Sequence, residues 1–167
     1  MKVVITGGAG FIGSNLVDLL LSKNWDVTVI DNFETGKKEN IEKHKNKLNL
    51  LEADISKKGP WVKKLLDVDF VVHLAALADI VPSIERPGNY FDSNVNGTLN
   101  VLEASKKSRL KKFVYAASSS CYGIPDQFPT KEDSALRPMY PYALTKMMGE
   151  QLVEHWSMVY GVPALSL

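Results

Sequence analysis

Short apolar runs alternate with amphipathic and polar stretches along the 167 residues of the chain. Six runs have the length and composition of buried strands, and we expect strands at Lys2–Thr6, Asp26–Ile30, Leu48–Glu52, Asp69–Leu74, Lys111–Ala116 and Val162–Leu167. Apolar residues at helical spacing predict helices at Phe11–Lys23, Trp61–Leu66, Asn89–Ser108 and Tyr142–Tyr160. Polar or proline-containing segments are expected to be loops at Asn32–Lys47 (with at most one weak helix), Pro82–Gly88 and Ser118–Pro141.

This alternation of strands and helices is typical of a parallel sheet covered by helices on both faces. We therefore predict an α/β fold with a doubly wound parallel sheet. Neither an internal repeat nor a linker interrupts the pattern, so residues 1–167 are expected to form one domain. In such sheets ligands bind beyond the carboxyl ends of the strands, and the candidate functional residues follow predicted strands.

Composition and charge narrow the class of protein. Hydrophobic residues make up 45% and charged residues 23%, which excludes a disordered or collagen-like chain. The net charge is +1, so we expect neither nucleic acid nor an anionic membrane as a partner. A single cysteine, Cys121, predicts no internal disulfide and no metal site. The start at Met1 shows no signal-peptide pattern and no apolar run spans a bilayer, so we expect a cytoplasmic protein.

A glycine-rich turn follows the first predicted strand. Gly8, Gly10 and Gly13 fit the spacing G-x-G-x-x-G, and Gly7, Gly10 and Gly13 fit G-x-x-G-x-x-G. Glycines allow a tight turn and let a pyrophosphate approach the backbone, while the next helix offers free N–H groups. Placement between a strand and a helix favours a dinucleotide site over a turn without a ligand.

Two acidic residues follow the next strands. Asp31 comes eighteen residues after Gly13, where a carboxylate accepts hydrogen bonds from the adenosine ribose and repels a 2′-phosphate, so we expect NAD and not NADP. The alternative is an ordinary loop aspartate. Asp54 follows the third strand and is expected near the adenine, with a helix N-terminal cap as the alternative.

Tyr142 and Lys146 begin the last predicted helix at a spacing of four, which places both side chains on one face. A nearby ammonium favours the phenolate, so the pair is suited to general acid/base catalysis. Ser118 ends the fifth strand and is expected to orient the same substrate oxygen, with a simple serine-rich turn as the alternative. Buried within a strand, His73 is interpreted as a core histidine with satisfied hydrogen bonds.

Seven ordered segments resemble the extended short-chain dehydrogenase/reductase family, namely TGGAGFIG, DNF, LEADI, HLAA, NVNGT, SSSCYG and YALTK. Within that family the resemblance is to the nucleotide-sugar epimerase/dehydratase branch, and most of all to the UDP-glucose 4-epimerase type. It implies a Rossmann-like NAD-binding domain at residues 1–167, the N-terminal part of a longer architecture whose C-terminal substrate lobe is absent. By position, it implies cofactor-binding roles for Gly7, Gly10, Phe11, Ile12, Gly13, Asp31, Asn32, Asp54, Ile55, Leu74, Ala75, Ala76, Asn94, Tyr142 and Lys146.

The same resemblance implies that Ser118, Tyr142 and Lys146 are catalytic and that Ser83, Ser118 and Tyr142 contact the substrate. The implied reaction is epimerisation at C4 of a UDP-hexose through a transient 4-keto sugar, with Tyr142 as acid/base. For Asn94 a hydrogen bond to backbone stays open as the alternative, and for Ser83 a loop cap. The resemblance further implies a homodimer through the Asn89–Ser108 and Tyr142–Tyr160 helices.

Departures from the family pattern bear on the reaction. Dehydratases of the branch follow the catalytic hydroxyl with an Asp-Glu pair, whereas this chain has Ser119 and Ser120, which argues against water elimination. Ala78 stands where some UDP-galactose epimerases carry a lysine, which leaves the identity of the sugar open. Two alternatives remain, another NAD-linked nucleotide-sugar oxidoreductase and an NAD-binding module without turnover.

Overall fold

The computed structural model describes residues 1–167 and is built around a six-stranded parallel sheet. The strands are β1 (Lys2–Thr6), β2 (Asp26–Asp31), β3 (Asn49–Glu52), β4 (Phe70–His73), β5 (Lys112–Tyr115) and β6 (Ala164–Ser166). Their order in the sheet is β3-β2-β1-β4-β5-β6, and every neighbouring pair is parallel. The predicted doubly wound fold and all six strands are confirmed. The strand order reverses between β1 and β4, which opens a crevice at their carboxyl ends.

Both faces of the sheet are covered, because alternate residues of each strand point to opposite sides. Val3 and Ile5 of β1 pack into one apolar cluster with Val17 and Leu20, while Val4 packs into the cluster on the other face. All five side chains are almost fully buried. The continuous apolar strands recognised in the sequence are therefore the middle layer of a three-layer fold.

The helices are α1 (Phe11–Ser22), α2 (Ile80–Glu85), α3 (Pro87–Tyr90), α4 (Gly97–Ser105) and α5 (Pro141–Tyr160). A π-helical segment, Phe91–Asn96, joins α3 to α4, and short 3₁₀ turns form at Lys38–Asn40, Glu42–His44, Pro60–Leu65 and Ser119–Tyr122. The weak helix expected within Asn32–Lys47 is thus two 3₁₀ turns, and the helix expected at Trp61–Leu66 is a 3₁₀ turn. No helix has both the length and the hydrophobicity that a membrane crossing requires.

The loop predicted at Pro82–Gly88 is wrong, since this segment is largely helical in α2 and α3. Pro82 lies in the first turn of α2, and Pro87 is the first residue of α3. Proline is tolerated there because the first N–H groups of a helix have no intrahelical partner in any case. The two prolines therefore mark helix starts.

The single helix predicted at Asn89–Ser108 is also corrected. The chain there passes through α3, the π-helical segment and α4, and helical structure ends at Ser105. The apolar residues at helical spacing that predicted this helix are Tyr90, Val95, Leu99 and Leu102. Tyr90 and Leu102 are buried, whereas Val95 and Leu99 are only partly buried and Asn94 and Thr98 are buried in their place. A π turn shifts the helix face by one residue, so an unbroken 3.6-residue period misplaces the middle of the segment.

Candidate active site

The turn after β1 has no room for a Cβ at three places, and one of them is Gly8, where a Cβ would lie 2.7 Å from the buried side chain of Val29. Gly7 has φ +71°, and a Cβ there would lie 2.7 Å from the backbone nitrogen of Ala75. A Cβ on Gly13 would lie 2.3 Å from the carbonyl oxygen of Gly7, so the start of α1 packs directly on the turn. Gly10 is less confined, because its Cβ would meet only the Gly7 oxygen at 3.3 Å. Gly7 and Gly13 therefore shape the turn, and Gly10 leaves open space beside it.

The N-terminus of α1 faces this space without a cap. Gly10 is the N-cap residue and has no side chain to satisfy the first N–H groups of the helix. Phe11 and Ile12 are 85% and 64% exposed, so they do not belong to the buried face of α1 as their helical spacing had suggested. The exposed side chains and the free N–H groups together border a site suited to an anion.

A cleft of about 310 Å³ lies over this turn, and we call it the glycine-turn cleft. It contains twelve of the fifteen predicted cofactor-binding residues, Gly7, Gly10, Phe11, Ile12, Gly13, Asp31, Asn32, Asp54, Ile55, Leu74, Ala75 and Ala76. Asn94, Tyr142 and Lys146 do not line it. Lining residues that the sequence reasoning missed are Ile30, Glu34, Thr35, Gly36, Ala53, Leu77, Ser93 and Ala116.

Asp31 ends β2 inside the cleft and is 7% exposed. One carboxylate oxygen accepts the Ala9 N–H at 2.9 Å and the other accepts the Phe33 N–H at 2.8 Å. A carboxylate offers about four acceptor positions, so about two remain for ligand hydroxyls. Gly36 belongs here too, because a Cβ on it would lie 2.9 Å from an Asp31 oxygen. Gly36, which stands just before the lysine-rich segment, is the one sequence signal that could have predicted a close approach of residues 34–36 to the cleft.

Asp54 and Ile55 border the cleft beyond β3. The Asp54 carboxylate accepts the N–H of Ser56 at 2.9 Å. This contact closes a local turn and caps no helix, since the next helical element is the 3₁₀ turn Pro60–Leu65 with Gly59 as its N-cap, so the helix-cap alternative for Asp54 is wrong. An adenine contact by Asp54 stays a prediction.

Ser118 and Tyr142 meet beside the cleft. The Tyr142 hydroxyl donates to Ser118 Oγ at 3.3 Å, although the two residues are 24 positions apart. Ser118 comes just after β5 and caps the 3₁₀ turn that follows, while Tyr142 lies in the first turn of α5. Tyr140 stacks parallel to the Tyr142 ring, and Tyr90 contacts it edge-on. The phenol is thus held by aromatic neighbours with its hydroxyl directed to the end of β5.

Lys146 lies one turn along α5 from Tyr142 and is only 5% exposed. Its ammonium donates to the carbonyl of Ala116, a cleft residue, and lies 4.2 Å from the centre of the Tyr115 ring. Burial lowers the pKa of Lys146 to about 8, and the nearby Cys121 and Glu150 oppose that shift. A cation is therefore held close to the cleft with little water around it.

Two predicted contact residues point elsewhere. Ser83 is buried in α2 and donates to the carbonyl of Ile80 at 2.6 Å, so it is not the exposed loop residue that the sequence suggested. The Asn94 side chain accepts the Leu77 N–H at 2.8 Å and donates to the Leu77 carbonyl at 3.0 Å. The backbone-binding alternative for Asn94 therefore describes its present contacts, and a cofactor or substrate role for either residue remains a prediction.

The residues present fit a dinucleotide. A pyrophosphate needs backbone approach and positive partial charge, which Gly10 and the uncapped α1 terminus offer. The hydroxyl groups of a ribose need hydrogen-bond acceptors, and the Asp31 carboxylate has acceptor positions that no protein group uses. Ala75 and Ala76 line the cleft and are small, so they leave room for a ligand beside the turn.

Comparison with known proteins agrees with a dinucleotide site, because the matching family is NAD-dependent. Residues 3–167 match the model of the "NAD dependent epimerase/dehydratase family". A curated relative, a "Putative UDP-glucose 4-epimerase" of Methanocaldococcus jannaschii, is 40% identical over 162 residues, which are 96% of this chain and 52% of the relative.

Two solved structures superpose closely. A UDP-N-acetylglucosamine 4-epimerase from Methanobrevibacter ruminantium M1, in complex with UDP-N-acetylmuramic acid, has a TM-score of 0.92 at 36% identity, covering 99% of this chain and 53% of that one. A UDP-glucuronic acid 4-epimerase from Bacillus cereus, with UDP-glucuronic acid and NAD, has a TM-score of 0.92 at 33% identity, covering 99% and 55%. The chain thus spans about half the length of the relatives it matches.

Proposed function

The chain belongs to the NAD-dependent epimerase/dehydratase family, and we propose that it binds NAD in the glycine-turn cleft and epimerises a UDP-hexose at C4. The observation that carries the proposal is the hydroxyl pair of Tyr142 and Ser118, 3.3 Å apart at the edge of a cleft that fits a dinucleotide. Residues 1–167 form the NAD-binding domain in this proposal.

Each residue at the end of β5 and the start of α5 has a separate task. Tyr142, as phenolate, accepts the proton of the sugar C4-hydroxyl and later returns it. The Lys146 ammonium stabilises the negative charge on the phenolate from the same helix face. Ser118 hydrogen-bonds to the same sugar oxygen and fixes its direction. When bound, NAD supplies the reversible acceptance of hydride, so that no net oxidation occurs.

NAD in preference to NADP is supported by the charge at the end of β2. The Asp31 carboxylate is buried in the cleft and already accepts two backbone N–H groups. A 2′-phosphate would bring negative charge against it, whereas ribose hydroxyls donate to its remaining acceptor positions.

The substrate class rests on the relatives and on two serines. The similar proteins are named for UDP-glucose, UDP-N-acetylglucosamine and UDP-glucuronic acid, so the shared chemistry is a UDP-linked pyranose with a C4-hydroxyl. Ser119 and Ser120 lack the acid/base capacity that water elimination needs, which supports epimerisation over dehydration.

We further propose a cytoplasmic homodimer in which the Asn89–Ser108 and Tyr142–Tyr160 segments meet their counterparts. Apolar residues form a stripe along α5, namely Met147, Met148, Leu152, Trp156 and Val159. Met147 and Met148 are partly buried and Val159 is 52% exposed, so part of this stripe is free for a partner. Leu152 and Trp156 of the same stripe pack partly on the chain's own core. The single buried cysteine fits a reducing compartment.

The test is conversion of UDP-galactose to UDP-glucose by the chain, measured together with NAD binding by fluorescence. We expect NAD binding and measurable conversion. Tight NAD binding without conversion of UDP-galactose, UDP-N-acetylgalactosamine or UDP-galacturonic acid would refute turnover by these 167 residues. The second candidate, an NAD-binding module, would then hold, and it is favoured by one observation, the half-length coverage of the relatives.

A further inference from the structure

A chain of buried polar side chains crosses the molecule beneath the glycine-turn cleft. Its members come from β1, β4, the π-helical segment, α4 and α5, and each is at most 1% exposed: Thr6, His73, Asn94, Thr98 and Thr145. The proposed chemistry assigns no task to Thr6, His73, Thr98 or Thr145. Buried polar groups are costly without partners, so such a chain needs every donor matched to an acceptor.

The hydroxyl protons fix the direction of the chain. Thr98 Oγ1 donates its single proton to the carbonyl of Asn94 at 2.6 Å. It must therefore accept at its 2.9 Å contact with His73 Nε2, which places a proton on Nε2. The hydroxyl of Tyr115 donates to the carbonyl of Lys146, so it supplies no proton to Thr98 Oγ1.

The other ring nitrogen is fixed in the same way. Thr6 Oγ1 accepts the N–H of Ala75 at 3.3 Å and lies 2.6 Å from His73 Nδ1. Its own proton has Nδ1 as its partner, so Nδ1 is an unprotonated acceptor. His73 is thus a neutral imidazole in the Nε2–H form. Burial, with a smaller contribution from the Lys146 charge, lowers the pKa of His73 to about 3, in agreement with this geometry.

This chain of buried polar side chains runs from the glycine-turn cleft at one end to the start of α5, near Tyr142, at the other. At one end Thr6 precedes the glycine turn and holds the N–H of Ala75, a residue of the cleft. At the other end the Asn94 side chain donates to Thr145 Oγ1 at 3.0 Å, and Thr145 donates to the carbonyl of Tyr142 at 2.8 Å. His73 is the link between β1 and α4, and the rings of Phe113 and Tyr115 pack against its ring.

We propose that His73, held in the Nε2–H tautomer, is a positioning residue. It keeps the glycine-turn cleft at a fixed distance and orientation relative to α5, the helix that carries Tyr142. Hydrogen bonds hold distance and direction more narrowly than apolar contacts do. A small displacement of the cofactor relative to the Tyr142 hydroxyl slows the reaction strongly. The buried polar side chains are therefore expected to affect the rate of turnover more than the affinity for the cofactor. This effect on rate rests on the proposed function, whereas the tautomer and the mechanical link do not.

The tautomer is tested on the ligand-free chain by ¹⁵N NMR of the histidine side chains, with His73→Gln used to identify the signals. We expect Nδ1 to have the chemical shift of an unprotonated ring nitrogen and Nε2 that of a protonated one from pH 5 to pH 8. A proton on Nδ1, alone or together with Nε2, would overturn the inference whatever the activity of the chain.

The link is tested by hydrogen exchange in a variant that replaces His73 and both of its hydrogen-bond partners by apolar residues, Thr6→Val/His73→Phe/Thr98→Val. Only the Ala75 N–H and the Asn94 carbonyl lose a side-chain partner in this variant, and its urea unfolding midpoint is measured beside that of the wild type so that exchange is compared at matched stability. The Leu77 N–H donates to Asn94 Oδ1. We expect the hydrogen of this N–H to exchange with solvent about tenfold faster in the variant than in the wild type. Unchanged exchange of Leu77 would show that the chain does not reach Asn94 and would overturn the link.

The effect on rate is measured in the same variant and in His73→Gln, which keeps one acceptor and one donor. For the apolar variant we expect kcat for a UDP-hexose to fall about ten- to a hundredfold while the Kd for NAD changes by less than about threefold. His73→Gln should recover part of kcat. A purely structural role predicts wild-type kcat once stability is matched, and that result would refute the positioning role. If the wild type itself turns over no UDP-hexose, the proposed function fails, while the tautomer and exchange results still decide the inference.

Discussion

Lys146 gives the most quantitative prediction, because its buried ammonium makes stability depend on pH. Its pKa is about 8 in the folded protein and 10.5 as a free side chain, and burial is the main cause. Between these values the unfolded chain binds the proton and the folded chain does not, so stability rises with pH. Replacing the lysine by methionine keeps the length of the side chain and removes the titration.

The expected magnitude follows from the difference between the two pKa values. At neutral pH Lys146 is protonated in both the folded and the unfolded chain. Burial of its charge then lowers the free energy of unfolding by about 3 kcal/mol. Between about pH 7 and pH 9.5 the wild type should therefore gain about 2 kcal/mol relative to Lys146→Met. Loss of the hydrogen bond to Ala116 lowers the stability of the variant by about 1 kcal/mol at all pH values and does not alter that slope.

Urea unfolding at several pH values measures the difference between wild type and variant directly. Groups distant from Lys146 cancel in the difference, whereas Cys121 and Tyr142, whose negative forms the ammonium stabilises, do not, so both proteins are measured in a Cys121→Ala/Tyr142→Phe background. Lys107→Met, which removes an exposed lysine just after the end of α4, controls for the loss of a surface charge. A constant difference between wild type and Lys146→Met across this range would refute a desolvated ammonium at Lys146.

Three further substitutions test the remaining parts of the site. Gly13→Ala would place a methyl group 2.3 Å from the Gly7 oxygen, so calorimetry should show NAD affinity reduced at least about tenfold and unfolding easier by about 1–3 kcal/mol. Asp31→Asn keeps one acceptor oxygen of two and loses the charge, so the ratio of NADP to NAD affinity should rise, and an unchanged ratio would contradict the ribose assignment. Ser118→Ala removes the partner of the Tyr142 hydroxyl, and kcat should fall about five- to a hundredfold with unchanged NAD affinity, whereas an unaltered kcat would exclude Ser118 from the reaction.

The sheet and the cofactor turn were predictable because their causes are local in the sequence. Short, continuous, β-branched runs such as Val3–Ile5, each followed by a turn, are typical of strands buried between two helical layers. Gly7 and Gly13 mark a turn that no larger residue can form. Twelve predicted contacts therefore lie together in one cleft, although they come from four strand ends.

Burial of polar groups was not predictable, because it depends on partners that are distant in the chain. Asn94 and Thr98 are polar in sequence but buried in the fold, since their partners Leu77, Thr145 and His73 come from other elements. The π-helical segment that turns them inward has no simple sequence signature. His73 was correctly expected to be a satisfied core residue, but its hydrogen bonds to Thr6 and Thr98 join elements that are far apart in the sequence.

The proposed reaction requires Tyr142 to carry the proton of a sugar hydroxyl at an NAD site. Wild type and Tyr142→Phe are compared for conversion of UDP-galactose to UDP-glucose at equal NAD occupancy. Phenylalanine keeps the ring contacts with Tyr90 and Tyr140 and removes only the hydroxyl. We expect kcat to fall at least about a thousandfold while the Kd for NAD stays nearly unchanged. Conversion by Tyr142→Phe at the wild-type rate would show that Tyr142 is not the acid/base.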